Sequence, residues 1–400
     1  MLAVGAGLAG LRACEALRRQ GYEGRLRLVG GEKHLPYDRP PLSKQLLAGS
    51  WDSDRCTLKT AEELETLGIE LDLATRAEQL DLGARQVTLS DGRSLAFDGL
   101  VIATGASPRP LRGITGKPDV MSLRTLDDAL QLRAVISQVG ARLVIAGAGL
   151  IGLEVAATAR GLGARVTVVD PFAIPLERAV GPVVGRVCES MHRGHGVDLR
   201  LATALRGVDT GARAGSGVKC RLSDATSIEA DVLLVAVGAA PATSWLETSG
   251  LELVQGALLC DASLTAAPGV VAAGDVARWP HPVSGEYLVV EHRTNAAEQG
   301  EHAAKSLLAG EGPRAGFAPV PYFWSDQYGH KIQVIGSPQP TDETVVVDGT
   351  VQELSFLALF ARAGRLSGAL GFARPRELMA YVPLLERGAS LAEALSLTPS

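Results

Sequence analysis

The chain has 400 residues, which is too long for one typical domain and predicts two or three. Hydrophobic residues make up 46% of it, and the net charge is −5 with acidic and basic residues interspersed, which excludes a nucleic-acid-binding surface. It contains no apolar run of about eighteen residues, so we expect no membrane span. The sequence shows no signal-peptide pattern, and we expect a cytoplasmic protein.

The cysteines also exclude several kinds of site. Cys14, Cys56, Cys188, Cys220 and Cys260 form no close pairs in the sequence. A redox-active CxxC disulfide and a zinc knuckle are therefore not expected, and a reducing compartment fits. The seven histidines show no metal-ligand spacing, so we interpret them as surface or structural residues and predict no metal site.

The first recognisable element is a glycine-rich loop between a strand and a helix. Leu2–Val4 is a short apolar strand that looks as though a few residues before it were missing. The loop GAGLAG (5–10) follows, and a helix is predicted over Leu8–Gln20 with a stop at Gly21. The segment RLRLVG then reads as a strand, which completes a βαβ unit.

The same unit returns in the middle of the chain. Arg142–Ala146 is predicted as a strand, GAGLIG (147–152) as the loop and Leu150–Leu162 as a helix. Arg165–Val169 is the next strand. The chain therefore looks like an internal duplication of one fold.

Glycines at this spacing have three separate functions. One permits a tight turn, one lets the backbone approach a pyrophosphate, and one lets the helix pack on the strand. The helix N-terminus then presents free N–H groups to the phosphates. We predict two dinucleotide sites, with these loop residues: Gly5, Gly7, Ala9 and Gly10 in the first, and Gly147, Gly149, Ile151 and Gly152 in the second.

An acidic residue at the end of the second strand of each unit is the candidate for the ribose hydroxyls. In the second unit it is Asp170, which would repel a 2′-phosphate, and no basic residue follows directly, so NADH is predicted. The alternative is that Asp170 only caps a strand. In the first unit the candidate is Glu32, although Gly31 intervenes. Two sites suggest FAD in the first loop and NADH in the second, placed so that a hydride can pass between them.

The predicted fold class is α/β, with two Rossmann-like dinucleotide-binding domains and a C-terminal α+β domain. Buried strands are expected within 98–111, 230–241 and 268–279. From about 315 onward the pattern favours antiparallel strands, and the tail from RPRELMAYV onward reads as helix. We assign 1–110 and 236–314 to the FAD-binding domain, 111–235 to the NADH-binding domain and 315–400 to the C-terminal domain.

The sequence resembles a known family, the FAD- and NADH-dependent ferredoxin reductases of bacterial oxygenase systems. This group includes the putidaredoxin-reductase-like proteins and the reductases of Rieske dioxygenases, which have the pyridine nucleotide-disulfide oxidoreductase fold. The resemblance covers nearly the whole chain. It rests on these motifs: VGAGLAG (4–10), PYDRPPLSK (36–44), ATG (103–105), SLRTLDDA (122–129), AGAGLIGLE (146–154), AAGDVAR (272–278) and FWSDQY (323–328).

The resemblance implies roles for individual residues. Lys44 should lie near the flavin ring, Glu154 should face the nicotinamide and could pair with Lys44, and Trp324 should lie near the exposed flavin edge. These three are the implied catalytic residues, although Trp324 alone would read as a core aromatic. The remaining residues implied to bind a cofactor are Arg39, Thr104, Gly105, Arg124, Gly238, Asp275 and Arg293.

The chain departs from the family at two positions. Arg293, in EHRTNA, stands where the family commonly has tryptophan, which puts stacking near the flavin in doubt. GAAPAT (238–243) lacks the Arg-Pro-Asn often seen in this turn. The related disulfide reductases need a cysteine pair after the first unit, and only Cys56 is present there.

By resemblance, the activity is that of a ferredoxin reductase. A hydride would pass from NADH to FAD, and single electrons would then pass to a [2Fe-2S]-type ferredoxin that serves a cytochrome P-450 or Rieske oxygenase. A rubredoxin reductase, an NADH oxidase and a flavoprotein like apoptosis-inducing factor remain alternatives. Basic residues are expected at the ferredoxin-docking surface, with these candidates: Arg278, Arg293, Lys305 and Lys331.

Overall fold

The structure, a computed structural model, describes residues 1–283 and 285–397. Ser284, in the predicted FAD-binding range, and 398–400, at the end of the predicted C-terminal domain, lie outside the described residues. The chain forms two compact units. Unit 1 consists of Met1–Asp38, Cys56–Ser107 and Ala240–Pro321, and unit 2 of Arg39–Arg55, Pro108–Ala239 and Tyr322–Ser400.

The first stretch of the chain contains the first predicted βαβ unit. Its strands are β1 (Leu2–Val4), β2 (Leu26–Val29), β3 (Ile69–Asp72), β4 (Ala77–Asp81), β5 (Gln86–Leu89), β6 (Ser94–Ala96), β7 (Leu100–Ile102) and β8 (Ala106–Pro108), and its helices are α1 (Leu8–Arg19) and α2 (Ala61–Thr66). Helix α1 ends before Gly21, whose φ of +85° is costly for other residues.

The middle of the chain contains the second predicted βαβ unit. Its strands are β9 (Val120–Met121), β10 (Arg142–Ala146), β11 (Arg165–Val169), β12 (Asp198–Arg200), β13 (Leu205–Thr210), β14 (Val218–Leu222), β15 (Ser227–Ala230), β16 (Val232–Val235) and β17 (Ala239–Pro241), and its helices are α3 (Leu126–Ile136), α4 (Leu150–Gly161) and α5 (Glu177–Gly194). The predicted strand bounds of β10 and β11 are confirmed.

The remaining stretch returns to unit 1 and then ends in unit 2. Its strands are β18 (Leu253–Val254), β19 (Ala257–Leu259), β20 (Thr265–Ala267), β21 (Val270–Ala272), β22 (Ala277–Pro280), β23 (Tyr287–Leu288), β24 (Tyr322–Gln327), β25 (His330–Gly336), β26 (Glu343–Thr350), β27 (Ser355–Arg362) and β28 (Arg365–Phe372), and its helices are α6 (Arg293–Ala309), α7 (Pro375–Met379), α8 (Val382–Glu386) and α9 (Leu391–Ser396).

In unit 1 the main sheet has the strand order β20-β21-β7-β1-β2-β3. Strand β1 runs parallel to both β2 and β7, and all its residues are buried, as expected for a central strand. Helix α6 packs against α1, where a Cβ added at Gly300 would lie 2.4 Å from the Ala9 carbonyl oxygen. Helix α6 was not predicted from the sequence, because its apolar residues are mostly small and are interrupted by polar ones.

In unit 2 the parallel sheet has the order β12-β11-β10-β16-β9, and a separate antiparallel sheet has the order β24-β25-β28-β27-β26. The antiparallel sheet buries Phe356 and Phe372, whose rings stack 5.3 Å apart. The predicted α/β class with a C-terminal sheet domain is therefore confirmed. Among the described residues, no helix is both long enough and apolar enough to cross a membrane.

The tail differs from the prediction of one helix. It forms the short helices α7, α8 and α9 instead. Pro375 lies in the first turn of α7 and Pro383 in that of α8, positions where the missing N–H costs little, and Gly388 has a φ of +63° before α9. These residues end and restart the helical backbone.

Candidate functional site

The first glycine loop lies in unit 1, between β1 and α1. Gly5 has a φ of +116°, and a Cβ there would lie 2.0 Å from the Ala103 carbonyl oxygen. A Cβ at Gly10 would lie 2.0 Å from the Gly5 carbonyl oxygen, so helix and loop pack at backbone contact. A Cβ at Gly7 would meet no atom of the described residues within 4 Å beyond its own neighbours. Gly5 and Gly10 therefore allow the close packing of the loop, whereas Gly7 leaves the space beside it open.

That open space lies in front of the N-terminus of α1. Gly7 is the N-cap residue, and no side chain of the described part caps it. The first N–H groups of a helix need acceptors and favour an anion. A pyrophosphate fits this cradle, because it would accept from those N–H groups and occupy the space that a Cβ would fill.

Other residues predicted to bind FAD lie in the same unit. Thr104 Oγ1 donates to the Ala242 carbonyl at 2.8 Å, and the Ala242 N–H donates to the Gly105 carbonyl at 2.9 Å. The loop before Asp275 is fixed by Gln299, whose Oε1 accepts from the Gly274 N–H at 2.7 Å. Gln299 is buried, and its Nε2 has no partner among the described residues, so an oxygen-rich ligand would satisfy it.

Two further predicted residues of unit 1 are held by polar neighbours. Glu32 accepts a 2.6 Å hydrogen bond from the Tyr37 hydroxyl. Arg293, at the position where the family commonly has tryptophan, pairs with Asp38, with its Nε 2.7 Å from Oδ1 and 2.8 Å from Oδ2. The arginine is therefore fixed by an ion pair on the segment that leads into Arg39.

Unit 2 repeats the loop geometry between β10 and α4. Gly147 has a φ of +114°, and a Cβ there would lie 2.3 Å from the Ala236 carbonyl oxygen. A Cβ at Gly152 would lie 2.1 Å from the Gly147 carbonyl oxygen, whereas one at Gly149 would meet no described atom within 4 Å beyond its neighbours. Ile151, in the first turn of α4, is exposed beside this loop. This second cradle fits a pyrophosphate for the same reasons.

Asp170 lies directly after β11 and points back at the loop. Its Oδ2 accepts from the Ala148 N–H at 2.6 Å, and its Oδ1 accepts from the Phe172 N–H at 2.8 Å. The residue is only 9% exposed. The two backbone N–H groups fix the carboxylate of Asp170 at the loop, where its oxygens can accept hydrogen bonds from ribose hydroxyls.

Glu154, one turn into α4, is the centre of a buried polar cluster in unit 2. Its Oε2 accepts from Lys44 Nζ at 2.7 Å and from Ser43 Oγ at 2.5 Å, and its Oε1 accepts from Ser325 Oγ at 2.7 Å. The side chains of Lys44 and Glu154 are 11% and 3% exposed. Thr158 Oγ1 also donates to the Ser43 carbonyl at 2.8 Å, which ties α4 to the Lys44 segment. The Lys44–Glu154 pair predicted from the sequence is present.

Further buried polar side chains, which were not predicted from the sequence, continue this cluster. Gln327 Nε2 donates to Ser325 Oγ at 3.0 Å, and His192 Nε2 lies 2.9 Å from Gln327 Oε1. Tyr328 Oη lies 3.1 Å from His192 Nδ1. Ser325 and Gln327 are two residues apart in β24 and so share its buried face, the one signal in the sequence that pointed to them.

The other predicted residues of unit 2 lie in different surroundings. Arg39 donates from its guanidinium to the Arg124 carbonyl, which holds these two residues together. Gly238 accepts from the Arg109 N–H at 2.9 Å and has a φ of +102°. Trp324 is half-buried, its indole N–H donates to Asp326 at 3.2 Å, and the Lys331 ammonium lies 5.7 Å from its ring centre.

Comparison with known proteins identifies the family. The sequence profile described as pyridine nucleotide-disulphide oxidoreductase matches residues 1–300, and the profile described as reductase C-terminal matches residues 322–400. The chain belongs to the pyridine nucleotide-disulphide oxidoreductase family. Family membership and the NAD(+)-linked relatives support FAD and NADH as the cofactors, and each of the two cradles fits a dinucleotide.

Within the family, the chain is similar to reductases of oxygenase systems. It is 36% identical over 380 residues to putidaredoxin reductase of Pseudomonas putida, covering 94% of this chain and 88% of that protein. It is 39% identical over 347 residues to the ferredoxin–NAD(+) reductase component of the biphenyl dioxygenase system of Paraburkholderia xenovorans, covering 86% and 82%. The crystal structure of a covalent putidaredoxin reductase–putidaredoxin complex superposes with a TM-score of 0.91 at 32% identity, covering 98% and 94%.

The two open glycines allow the cradles to be assigned separately. Gly7 and Gly149 both have extended backbones, with φ of −84° and −81°, that alanine adopts without strain. We expect Gly7→Ala to raise the dissociation constant for FAD about tenfold, because its methyl group occupies phosphate space. Gly149→Ala should leave FAD bound and raise the dissociation constant for NAD+ by a similar factor. Fluorescence titration measures both, and an equal loss of FAD in the two variants would contradict the assignment.

Proposed function

We propose that the chain is a ferredoxin–NAD(+) reductase. It oxidises NADH and passes electrons one at a time to a small [2Fe-2S]-type ferredoxin, which in turn serves a cytochrome P-450 or a Rieske oxygenase. The observation that carries this function is the combination of two dinucleotide cradles with cysteines that have no close partner in the sequence. The chain has no CxxC pair to receive the electrons, so the proposal assigns them to a separate acceptor protein.

The residues of the chain have distinct parts in this function. The first cradle, with Thr104, Gly105 and Asp275, would hold FAD, and the second, with Asp170, would hold NADH. When bound, the flavin accepts a hydride and releases the two electrons singly. Lys44 and Glu154 form a fixed ion pair one turn from the second cradle, so they can orient a nicotinamide without moving.

The assignment of Glu32 to a cofactor follows from its place after the second strand of the first unit and is part of this proposal. The other assignments in it follow from the family motifs: Arg39, Arg124, Gly238, Arg293 and Trp324. The domain bounds predicted from the sequence are also part of this proposal. A cytoplasmic location is also proposed, and it is supported by Cys14, Cys188, Cys220 and Cys260, which are buried free thiols in the structure, as a reducing compartment would keep them.

Reduction of cytochrome c by NADH in the presence of a ferredoxin tests the function. We expect reduction to require both the enzyme and a [2Fe-2S] ferredoxin, with little oxygen consumed when the ferredoxin is omitted. Rapid NADH oxidation by oxygen alone would instead indicate an NADH oxidase, and a preference for rubredoxin would indicate a rubredoxin reductase.

Ionic strength should separate the two half-reactions of this enzyme. Ferredoxins are typically acidic, so docking should involve exposed basic groups such as Lys305, whereas Arg293 and Lys331 already pair with carboxylates. Screening becomes strong beyond about 10 Å at ~0.1 M salt, so ferredoxin reduction should slow as salt rises. Stopped-flow bleaching of the flavin by NADH should change little. Salt-sensitive bleaching with salt-independent ferredoxin reduction would contradict electrostatic docking.

A further inference from the structure

Glu154 is connected to a row of buried polar side chains that the proposed function does not yet use. Ser325, Gln327 and His192 are each 1% exposed or less. They link the carboxylate of Glu154 to the hydroxyl of Tyr328, which is half-buried and stacks on His195 with ring centres 3.7 Å apart. Buried polar groups cost free energy unless every one of them is hydrogen-bonded. A row of this length in a protein core therefore indicates a function for these side chains.

The direction of each hydrogen bond in this row follows from the chemistry of the groups. The amide oxygen of Gln327 faces His192 Nε2, so Nε2 carries the ring hydrogen and donates. Burial lowers the pKa of His192 to about 4, so the ring is neutral and Nδ1 is an acceptor. Burial also raises the pKa of Tyr328 to about 12, so its hydroxyl keeps the proton and donates to Nδ1.

The same direction continues to the carboxylate. Gln327 Nε2 donates to Ser325 Oγ, and Ser325 Oγ then has its hydrogen available for Glu154 Oε1. Four donors in succession therefore point toward Glu154. Hydrogen bonds aligned in this way polarise one another and strengthen the last bond, which meets the negative charge.

The opposite direction would require a different charge on Glu154. If the Gln327 amide were reversed, its oxygen would accept the Ser325 hydrogen, and Ser325 would have none for Glu154. Oε1 would then need a proton of its own to donate to Ser325 Oγ. The two directions of the row thus correspond to the two protonation states of Glu154, and the observed direction corresponds to the carboxylate.

We propose that Ser325, Gln327 and His192 are positioning residues that keep Glu154 ionised and paired with Lys44. The proposal rests on the proposed function in one respect, namely that this pair orients NADH. The row acts through Glu154 and needs no contact with the cofactor.

The other charged and titratable groups around the row are few in the described part of the chain. Lys44 lies at the Glu154 end, and His195 and Arg160 lie near Tyr328. Asp326, between Ser325 and Gln327, lies on the other face of β24 and pairs with Lys331 at 3.2 Å. It does not contribute to the row.

The pH dependence of flavin reduction by NADH tests the proposal. If the carboxylate form is required, the stopped-flow rate falls toward low pH, and the pH at half of the full rate is the midpoint that is measured. Ser325→Ala removes a donor to the charged form and should move this midpoint upward by about one pH unit, a tenfold change in proton affinity. Ser325→Thr keeps the hydroxyl and should restore the wild-type midpoint.

Ser367→Ala is the matched control. Ser367 Oγ donates at 2.6 Å to the buried carboxylate of Asp342 in the same unit, outside the row. This variant should lose comparable stability and keep the wild-type midpoint. An unchanged midpoint in Ser325→Ala, or an equal shift in Ser367→Ala, would overturn the proposal.

Nitrogen-15 NMR of the histidine rings gives a second readout that does not depend on turnover. We expect His192, assigned from the signal lost in His192→Gln, to be the neutral Nε2–H tautomer at neutral pH. The Nδ1–H tautomer or a charged ring would overturn the direction of the row. Neither measurement uses a ferredoxin, so failure of the proposed electron acceptor would leave both results interpretable.

Discussion

Replacing Lys44 with methionine is expected to lower the free energy of unfolding by about 3–5 kcal/mol. The reason is the burial of the pair, in which Lys44 Nζ lies 2.7 Å from Glu154 Oε2 and neither side chain is more than 11% exposed. The variant keeps the volume of the side chain and leaves the carboxylate with Ser43 and Ser325 as its remaining donors. A buried charge that has lost its counter-ion is costly, even when hydroxyl groups still contact it.

Urea unfolding followed by circular dichroism measures this effect, with FAD held at one saturating concentration because bound ligand also stabilises the fold. Arg142→Met is the matched control. Arg142 pairs with Asp231 at 2.8 Å in the same unit, but these side chains are 44% and 40% exposed. Exposed pairs contribute about 1 kcal/mol or less, so this variant should unfold close to wild type.

The double variant Lys44→Met with Glu154→Leu separates the charge from the packing. Removing both charges should recover a large part of the loss, because the uncompensated carboxylate is gone. The recovery should be incomplete, since the hydroxyls of Ser43 and Ser325 would then lack their acceptor. A Lys44→Met variant as stable as Arg142→Met would show that the pair is open to water.

The βαβ units could be predicted because their signals are local. Gly10 and Gly152 are required by the backbone of their own loops, since a Cβ at either would lie 2.0 Å from the Gly5 carbonyl oxygen or 2.1 Å from that of Gly147. Strands β10 and β11 match their predicted bounds because the apolar runs that form them are also local signals. The pairing of Lys44 with Glu154 spans 110 residues and could be predicted only from family motifs.

The remainder of the site could not be predicted because tertiary packing assembles it. His192 reaches Gln327 from α5, 135 residues away, and no sequence pattern marks His192 as a residue of the polar core. Helix α6 was missed because small residues such as Gly300, which allow contact with α1, weaken the helical signal. The tail was predicted as one helix because its apolar spacing continues past Gly388, where the backbone turns.

The unmodified enzyme should prefer NADH to NADPH by about a hundredfold in kcat/KM, which corresponds to ~3 kcal/mol. The physical cause is Asp170, whose carboxylate is fixed at the loop by the N–H groups of Ala148 and Phe172. A carboxylate held in this way cannot turn away from a 2′-phosphate. The residues that follow, Pro171 to Ile174, provide no basic side chain to neutralise that phosphate.

Two variants should reduce the preference by different routes. Asp170→Asn removes the charge and keeps an oxygen that can accept one of the backbone N–H groups, so repulsion of NADPH falls while the loop keeps part of its support. Asp170→Ala with Pro171→Arg adds a cation that can bind the phosphate and should narrow the ratio further. The double variant loses both contacts of the carboxylate, so kcat/KM for NADH should fall as well.

Asp198→Asn serves as the control for these variants. Asp198 lies at the start of β12, next to β11 in the same sheet, and it pairs with Arg200 on the surface with 46% exposure. This substitution removes one negative charge from the same sheet without touching the loop. If net charge near the site governed cofactor choice, Asp198→Asn would shift the NADH to NADPH ratio as Asp170→Asn does. If the fixed carboxylate governs it, only the Asp170 variants will move the ratio, and equal kcat/KM for the two cofactors in the unmodified enzyme would refute the assignment.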